Sequence, residues 1–228
     1  MLPKATGCAV AELATAGLDS IAVRVPSHPV ARELIATFGG PIVAPSANRS
    51  GHVSPTTAQH VLSDLGGAVD LIIDGGPAPL GLESTIVACL GDTPALLRPG
   101  GLPREAIERA LGAPLREVAS LAGDADDAPL APGMLASHYA TKASLRLNAT
   151  RVEPGEALLA FGAPLPGARR MLNLSSSGDL IEAAANLFSH LRALDAAGAG
   201  AIAVMPIPHE GLGEAINDRL ARAAAPRL

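Results

Sequence analysis

The chain has 228 residues, enough for one large or two modest domains, and 48% of them are apolar, which excludes wholesale disorder. Three Phe, one Tyr and no Trp leave the core to Ala, Leu, Ile and Val and remove the aromatic platforms on which single-stranded nucleic acids stack. A formal net charge of -5 argues against a general attraction to phosphate backbones, so direct RNA binding is expected to be weak or absent.

Cys8 and Cys89 stand far apart with no CxxC or His-rich companion. Neither a disulfide framework nor a zinc site is indicated, and a reducing cytoplasm is the expected compartment. No segment has the length and apolarity of a membrane-spanning helix, so no membrane partner is expected.

In chain order, "DSIAVRVP" (19–26) reads as a strand and "HPVARELIATFGG" (28–40) as a helix with Val30, Leu34, Ile35 and Phe38 on one side and a glycine stop. "PIVAP" (41–45) is a short apolar strand. Next comes "APSANRSGHVSPTTAQH" (44–60), which crowds hydroxyls, an amide, an arginine and a histidine ahead of a helix in "SPTTAQHVLSDLGG". Ser54 or Thr56 is expected to cap that helix, with Pro55 near its first turn. "VDLIIDGG", "ESTIVACL" and "PALLRPGG" read as three further strands and "PREAIERALG" as a helix. Strands and helices are mixed without strict alternation, so the fold class expected is α/β, with a twisted mixed sheet and flanking helices.

Beyond residue 115 the character changes. Residues 116–152 are rich in Asp, Pro and small residues, as in an interdomain connection, but the segment is long enough to act as a lid. It holds the only tyrosine, Tyr139 in "SHYA". Residues 153–228 then read as strand, strand, helix, strand, helix. "EALLAFG", "RRMLNLS" and "AIAVMPIP" are the strands, while "GDLIEAAANLFSHLRALDAAGAG" and "GEAINDRLARAA" are the helices. That order is expected of a small Rossmann-like domain. No glycine fingerprint follows a strand, so no dinucleotide site is assigned there.

Several side chains are candidates for chemistry. Between Ser46 and Ser54 the loop offers serine hydroxyls, the Asn48 amide and the Arg49 guanidinium just before a helix N-terminus, where an anion would be favoured. The same residues also make an ordinary polar turn. Arg24 interrupts an apolar strand, which fits a carboxylate clamp, an outward-facing edge residue or a structural ion pair. Arg98 ends a strand beside a glycine turn, and Ser84 and Thr85 follow Glu83 at a strand start. No GxSxG elbow accompanies Ser84, so binding is expected of it and no catalytic nucleophile is assigned. The six histidines lack HExxH-like spacing, so no metal site is assigned.

Taken together, "DSIAVRVPSHP", "GGPIVAPSANRSGHVSPTTA", "DLIIDGG", "GLESTIV", "LLRPGG" and "APGMLASHYATKA" resemble, in order, the YrdC-type threonylcarbamoyl-AMP synthases in their longer form with a C-terminal Rossmann-like domain. The resemblance implies a transferase that joins L-threonine, bicarbonate and ATP into L-threonylcarbamoyladenylate and pyrophosphate, the intermediate for threonylcarbamoyladenosine in tRNA. It divides the chain into a YrdC-like part (1–115), a connection or lid (116–152) and a C-terminal domain (153–228). It implies that Arg24, Ala44 and Ser84 bind L-threonine. Ser20, Ser46, Asn48, Ser54, Arg98 and Tyr139 would bind ATP, accompanied by Mg2+, and a tRNA-modifying transferase complex would take the product. Family members carry a further N-terminal stretch with a Lys/Arg pair, so a chain opening at "MLPK" is expected to be truncated and to turn over little. Outside the resemblance, two readings stay open: a non-catalytic nucleotide- or RNA-binding module, and a related carbamoyltransferase.

Overall fold

The computed structural model describes residues 1–117 and 138–226. Its C-terminal half is built on four parallel strands: β6 (Ser144–Arg146), β7 (Ala157–Ala160), β8 (Met171–Asn173) and β9 (Ala201–Val204), in the order β6-β9-β7-β8. The ALLA run of β7 is buried at all four positions, as a strand covered on both faces of a parallel sheet requires. Helices α4 (Leu180–Ala196) and α5 (Leu212–Ala224) pack on it. Of the helical stripe expected at Leu180, Ile181, Ala184, Leu187, Phe188, Leu191 and Leu194, α4 buries the last five together with Ala183; Leu180 is partly buried, and Ile181, 63% exposed, turns to the outer face. Asp179 caps α4 by accepting from the N–H groups of Ile181 and Glu182. Strand β6 lies inside the stretch expected as a connection, and it already belongs to this sheet. The part of the expected lid at 118–137 lies outside the described residues.

The N-terminal half holds a three-stranded mixed sheet in which β3 (Ile86–Ala88) runs antiparallel to β4 (Ala95–Arg98), and β4 runs parallel to β5 (Arg116–Glu117). Leu2–Pro3 (β1) and Ser20–Ile21 (β2) form a short separate ladder. Three helices complete it: α1 (Pro29–Phe38), α2 (Ala58–Leu65) and α3 (Arg104–Leu111). The α/β class and the flanking helices are as anticipated.

Three expected strands are corrected. "DSIAVRVP" is paired only at Ser20–Ile21, and neither "PIVAP" nor "VDLIIDGG" enters a ladder. Among the described residues no strand lies alongside them, and a strand exists only through the hydrogen bonds of a neighbour. Helices α1 and α2 bury no whole residue, and the apolar side of α1 at Val30, Leu34 and Phe38 stays exposed. Leu13 and Val25 are 93% and 91% exposed, whereas β7 and the inner face of α4 have essentially no accessible surface.

Candidate functional site

The two halves meet around the loops that carried the candidate residues. Val53, from the loop before α2, and Leu80 and Leu82, from the stretch before β3, pack into the core formed by α4, α5 and their sheet. Gly81 makes this approach possible. Its φ of 71° suits glycine, and an added Cβ would lie 2.5 Å from the Ala184 carbonyl oxygen of α4. Arg192 of α4 ties the same loop down. It forms an ion pair with Asp64 at 2.8 Å and donates to the backbone carbonyls of Val53 and Ser54. Hydrogen bonding to Arg192 outweighs burial and holds the Asp64 carboxyl below its ordinary range.

At the centre lies Glu83. Its carboxylate accepts from the Ser54 hydroxyl at 2.6 Å on one oxygen and from the Arg219 guanidinium at 2.9 Å on the other. Burial pushes the Glu83 carboxyl up, but the Arg219 charge and the Ser54 hydrogen bond overcome it, and the group is held ionised. Arg219, on α5, is fully buried and also donates to the Pro99 carbonyl at 2.9 Å. The glycine turn after β4 closes on this loop: Gly101 N–H donates to the Glu83 carbonyl, and Arg98 donates to the Ser84 carbonyl at 2.8 Å. Thr85 exchanges two hydrogen bonds with the backbone of Leu102. Burial and the nearby Arg219 charge lower the pKa of Arg98.

Tyr139 joins this centre from the connection. Its ring is 1% exposed, stacks on Phe188 with centroids 5.3 Å apart, and lies 5.3 Å beneath the Arg219 guanidinium carbon. Its φ of 60° is in the left-handed region, which a bulky side chain rarely enters. Flanking bonds hold it there: Ala140 N–H to the Gly51 carbonyl and His138 N–H to the Arg222 carbonyl. The connection therefore returns to the loop before α2.

Ser54, Ser84, Arg98 and Tyr139 are thus brought together. Ser20, Arg24, Ala44 and Ser46 lie on short or unpaired stretches, with Arg24, Ala44 and Ser46 exposed. Asn48 shapes its own loop by donating to the carbonyls of Arg49 and His52. One local expectation is corrected: α2 is capped by Thr57, which accepts from His60 N–H, and not by Ser54 or Thr56. Ser54 faces inward to Glu83, and Thr56 N–H donates to His60 Nδ1. That bond requires a neutral acceptor nitrogen, which burial and the Arg192 charge favour by lowering the His60 pKa. A groove of about 590 Å³ opens beside α2, lined in part by Ala47, Thr56, Thr57, Asp74 and Gly75.

Glu83, Arg192 and Arg219 were not singled out from sequence as members of this centre. Arg219 did leave a trace: it occupies the apolar stripe of α5, in step with Leu212, Ile216 and Ala223.

Residues 1–100 match the family described as "Telomere recombination", and residues 102–225 match "Threonylcarbamoyl-AMP synthase, C-terminal domain". The chain is 39% identical to a threonylcarbamoyl-AMP synthase of Bacillus subtilis over 94% of its own length and 66% of the relative's. It is 38% identical to that of Pyrococcus abyssi, over 100% of the chain and 70% of the relative, and 36% to that of Schizosaccharomyces pombe, over 95% and 60%. The crystal structure of P. abyssi Sua5 complexed with L-threonine superimposes with a TM-score of 0.82 at 36% identity, over 94% of this chain and 67% of that one. The chain therefore spans about 60 to 70% of the length of these relatives. On the C-terminal match and the P. abyssi identity together, this chain belongs to the threonylcarbamoyl-AMP synthase family.

Proposed function

We propose that these residues form the L-threonine- and ATP-binding part of a threonylcarbamoyl-AMP synthase, a nucleotidyl transferase. The observation that carries the reading is the convergence of Ser54, Ser84 and Arg98 on one ion-paired centre closed by Tyr139. The relative whose structure holds L-threonine supports the choice of amino acid.

The chemistry suits such a site. Bicarbonate takes up a proton and loses water to give carbon dioxide, and the neutral threonine amine adds to it and releases a proton, leaving a carbamate. A carbamate oxygen then forms a bond to the α-phosphorus of ATP as the bond to the β-phosphate oxygen breaks and pyrophosphate departs. The carbamate is already an anionic nucleophile, so the site supplies positioning and charge rather than a strong base. Arg24 would clamp the threonine carboxylate, with the Ala44 backbone and the Ser84 hydroxyl completing that subsite. Ser20, Ser46, Ser54 and Arg98 would contact ATP, Asn48 would shape the loop, and Tyr139 would close over the nucleotide. Residues 1–115 would carry these loops and 116–152 would link them to the C-terminal domain.

Mg2+ would enter with the nucleotide, held by phosphate and water oxygens. The product would pass to a transferase that modifies tRNA.

Calorimetric titration of the chain with L-threonine and with Mg-ATP tests the reading. Heat with both is expected, with weaker heat when serine replaces threonine. Salt-dependent RNA binding, with no heat from threonine or ATP, would reject it in favour of an RNA-binding module.

A further inference from the structure

The centre described above is completed from the far end of the chain. Arg219 lies 136 residues beyond Glu83 in sequence, is fully buried, and makes bonds to three different stretches: the Glu83 carboxylate, the Pro99 carbonyl and neighbouring Asp218. A buried guanidinium without its carboxylate would be costly, and so would a buried carboxylate without its guanidinium. Asp218 meets only Nη1, so contact with Glu83 and Pro99 is what satisfies Nε and Nη2 and gives the Glu83 carboxylate its counter-charge. In that arrangement Glu83 keeps its second oxygen on Ser54, and the Pro99 turn stays against the loop that presents Ser84.

We propose that Arg219 is a positioning residue: from the last helix of the C-terminal domain it fixes the Ser54 and Ser84 loops in the geometry that binds ligand. This rests on the functional reading above. It gives the C-terminal domain a part in the site without touching substrate. The planar fork of the guanidinium matters, because it addresses a carboxylate and a carbonyl in two directions at once, which a lysine ammonium on the same stem cannot match.

The comparison residue is Glu214, on the same helix. It pairs with Arg104 at 2.6 Å and also joins the two halves, but it has no bond to the Glu83 loop. Four chains are compared: wild type, R219M, R219K and E214Q. Hydrogen exchange of peptides spanning 51–57 and 80–102 is measured without ligand, and threonine and ATP affinities by titration. Positioning predicts faster exchange in both peptides and at least tenfold weaker ligand binding in R219M, partial recovery in R219K, and no change in either readout for E214Q. If R219M loses thermal stability to the same extent as E214Q while exchange in those peptides and ligand affinity stay at wild-type values, the residue is a general clamp and the proposal is wrong. A wild-type chain that binds neither ligand rejects the functional reading instead, and the exchange data still decide whether Arg219 orders the loops.

Discussion

Gly100, in the turn after β4, provides a sharp test of how tightly that turn closes on the Glu83 loop. An added Cβ would lie 2.5 Å from the Thr85 nitrogen and 2.6 Å from the Ser84 carbonyl carbon, and it would also press on the Glu83 carbonyl oxygen. All three neighbours are backbone, so no side chain can swing away. Reaching ordinary contact requires a separation of roughly 1 Å between the two loops. That movement strains Gly101 N–H to Glu83 and Arg98 to Ser84, bonds that contribute about 1 kcal/mol and about 1.5–3 kcal/mol in favourable cases. Overpacking of this kind typically costs about 1–3 kcal/mol. Gly100 is not in the left-handed region, so alanine also gains about 0.4–1 kcal/mol through the unfolded chain. The expected net loss for G100A is about 2–4 kcal/mol, with the repulsion outweighing the entropy. Gly91 is the control, since nothing lies within 4 Å of its added Cβ and its φ is also outside the left-handed region. G91A should be unchanged or stabilised by about 0.4–1 kcal/mol. Urea unfolding followed by circular dichroism and by fluorescence of Tyr139, the single tyrosine in a chain without tryptophan, reads both. The G100A midpoint should fall by roughly 1 M. A G100A midpoint equal to wild type, with G91A behaving as described, would refute the tight closure of the two loops.

Two other outcomes are expected. Arg24 is exposed on unpaired backbone, so R24A should leave the unfolding midpoint within about 0.5 kcal/mol of wild type while threonine heats fall at least tenfold; unchanged heats would remove Arg24 from the amino-acid subsite. Burial lowers the pKa of His60, His138 and His190 from 6.5, so each contributes stability that is complete above that value and declines as pH falls below it. Asp64 and Glu83, lowered from 3.8 and 4.5, extend the decline to more acid pH. Melting temperatures should therefore be flat from pH 8 to 7, fall below about 6.5 and fall again below about 4.5. A melting temperature constant from pH 8 to 5 would contradict the neutral histidines.

The elements legible in sequence are those whose signal is local. Helices α3, α4 and α5 follow from apolar period, the Asp179 cap and the glycines at 112 and 198. Strands β3, β4, β7, β8 and β9 are short, mainly apolar stretches of three or four residues, and each pairs with another of the described strands. By contrast, "PIVAP" and "VDLIIDGG" have the composition of strands, yet among the described residues no strand pairs with them, a condition that lies outside their own residues. The α2 cap was misplaced because Ser54, Thr56 and Thr57 are all able to cap. The choice fell to Thr57 because a carboxylate 29 residues away claims Ser54.

The sequence by itself determined the α/β class, the order of most helices and strands, and a set of polar residues whose order carries the family resemblance. Only tertiary structure decided which of them form one centre. Ser54, Ser84, Arg98 and Tyr139 are linked through Glu83 and Arg219, and a buried ion pair between residues 136 apart leaves no periodic mark on the chain beyond one arginine in an apolar stripe. Local patterns record what a residue's neighbours in sequence require of it, whereas the charge that Glu83 needs comes from a helix that reaches it only once both halves have folded.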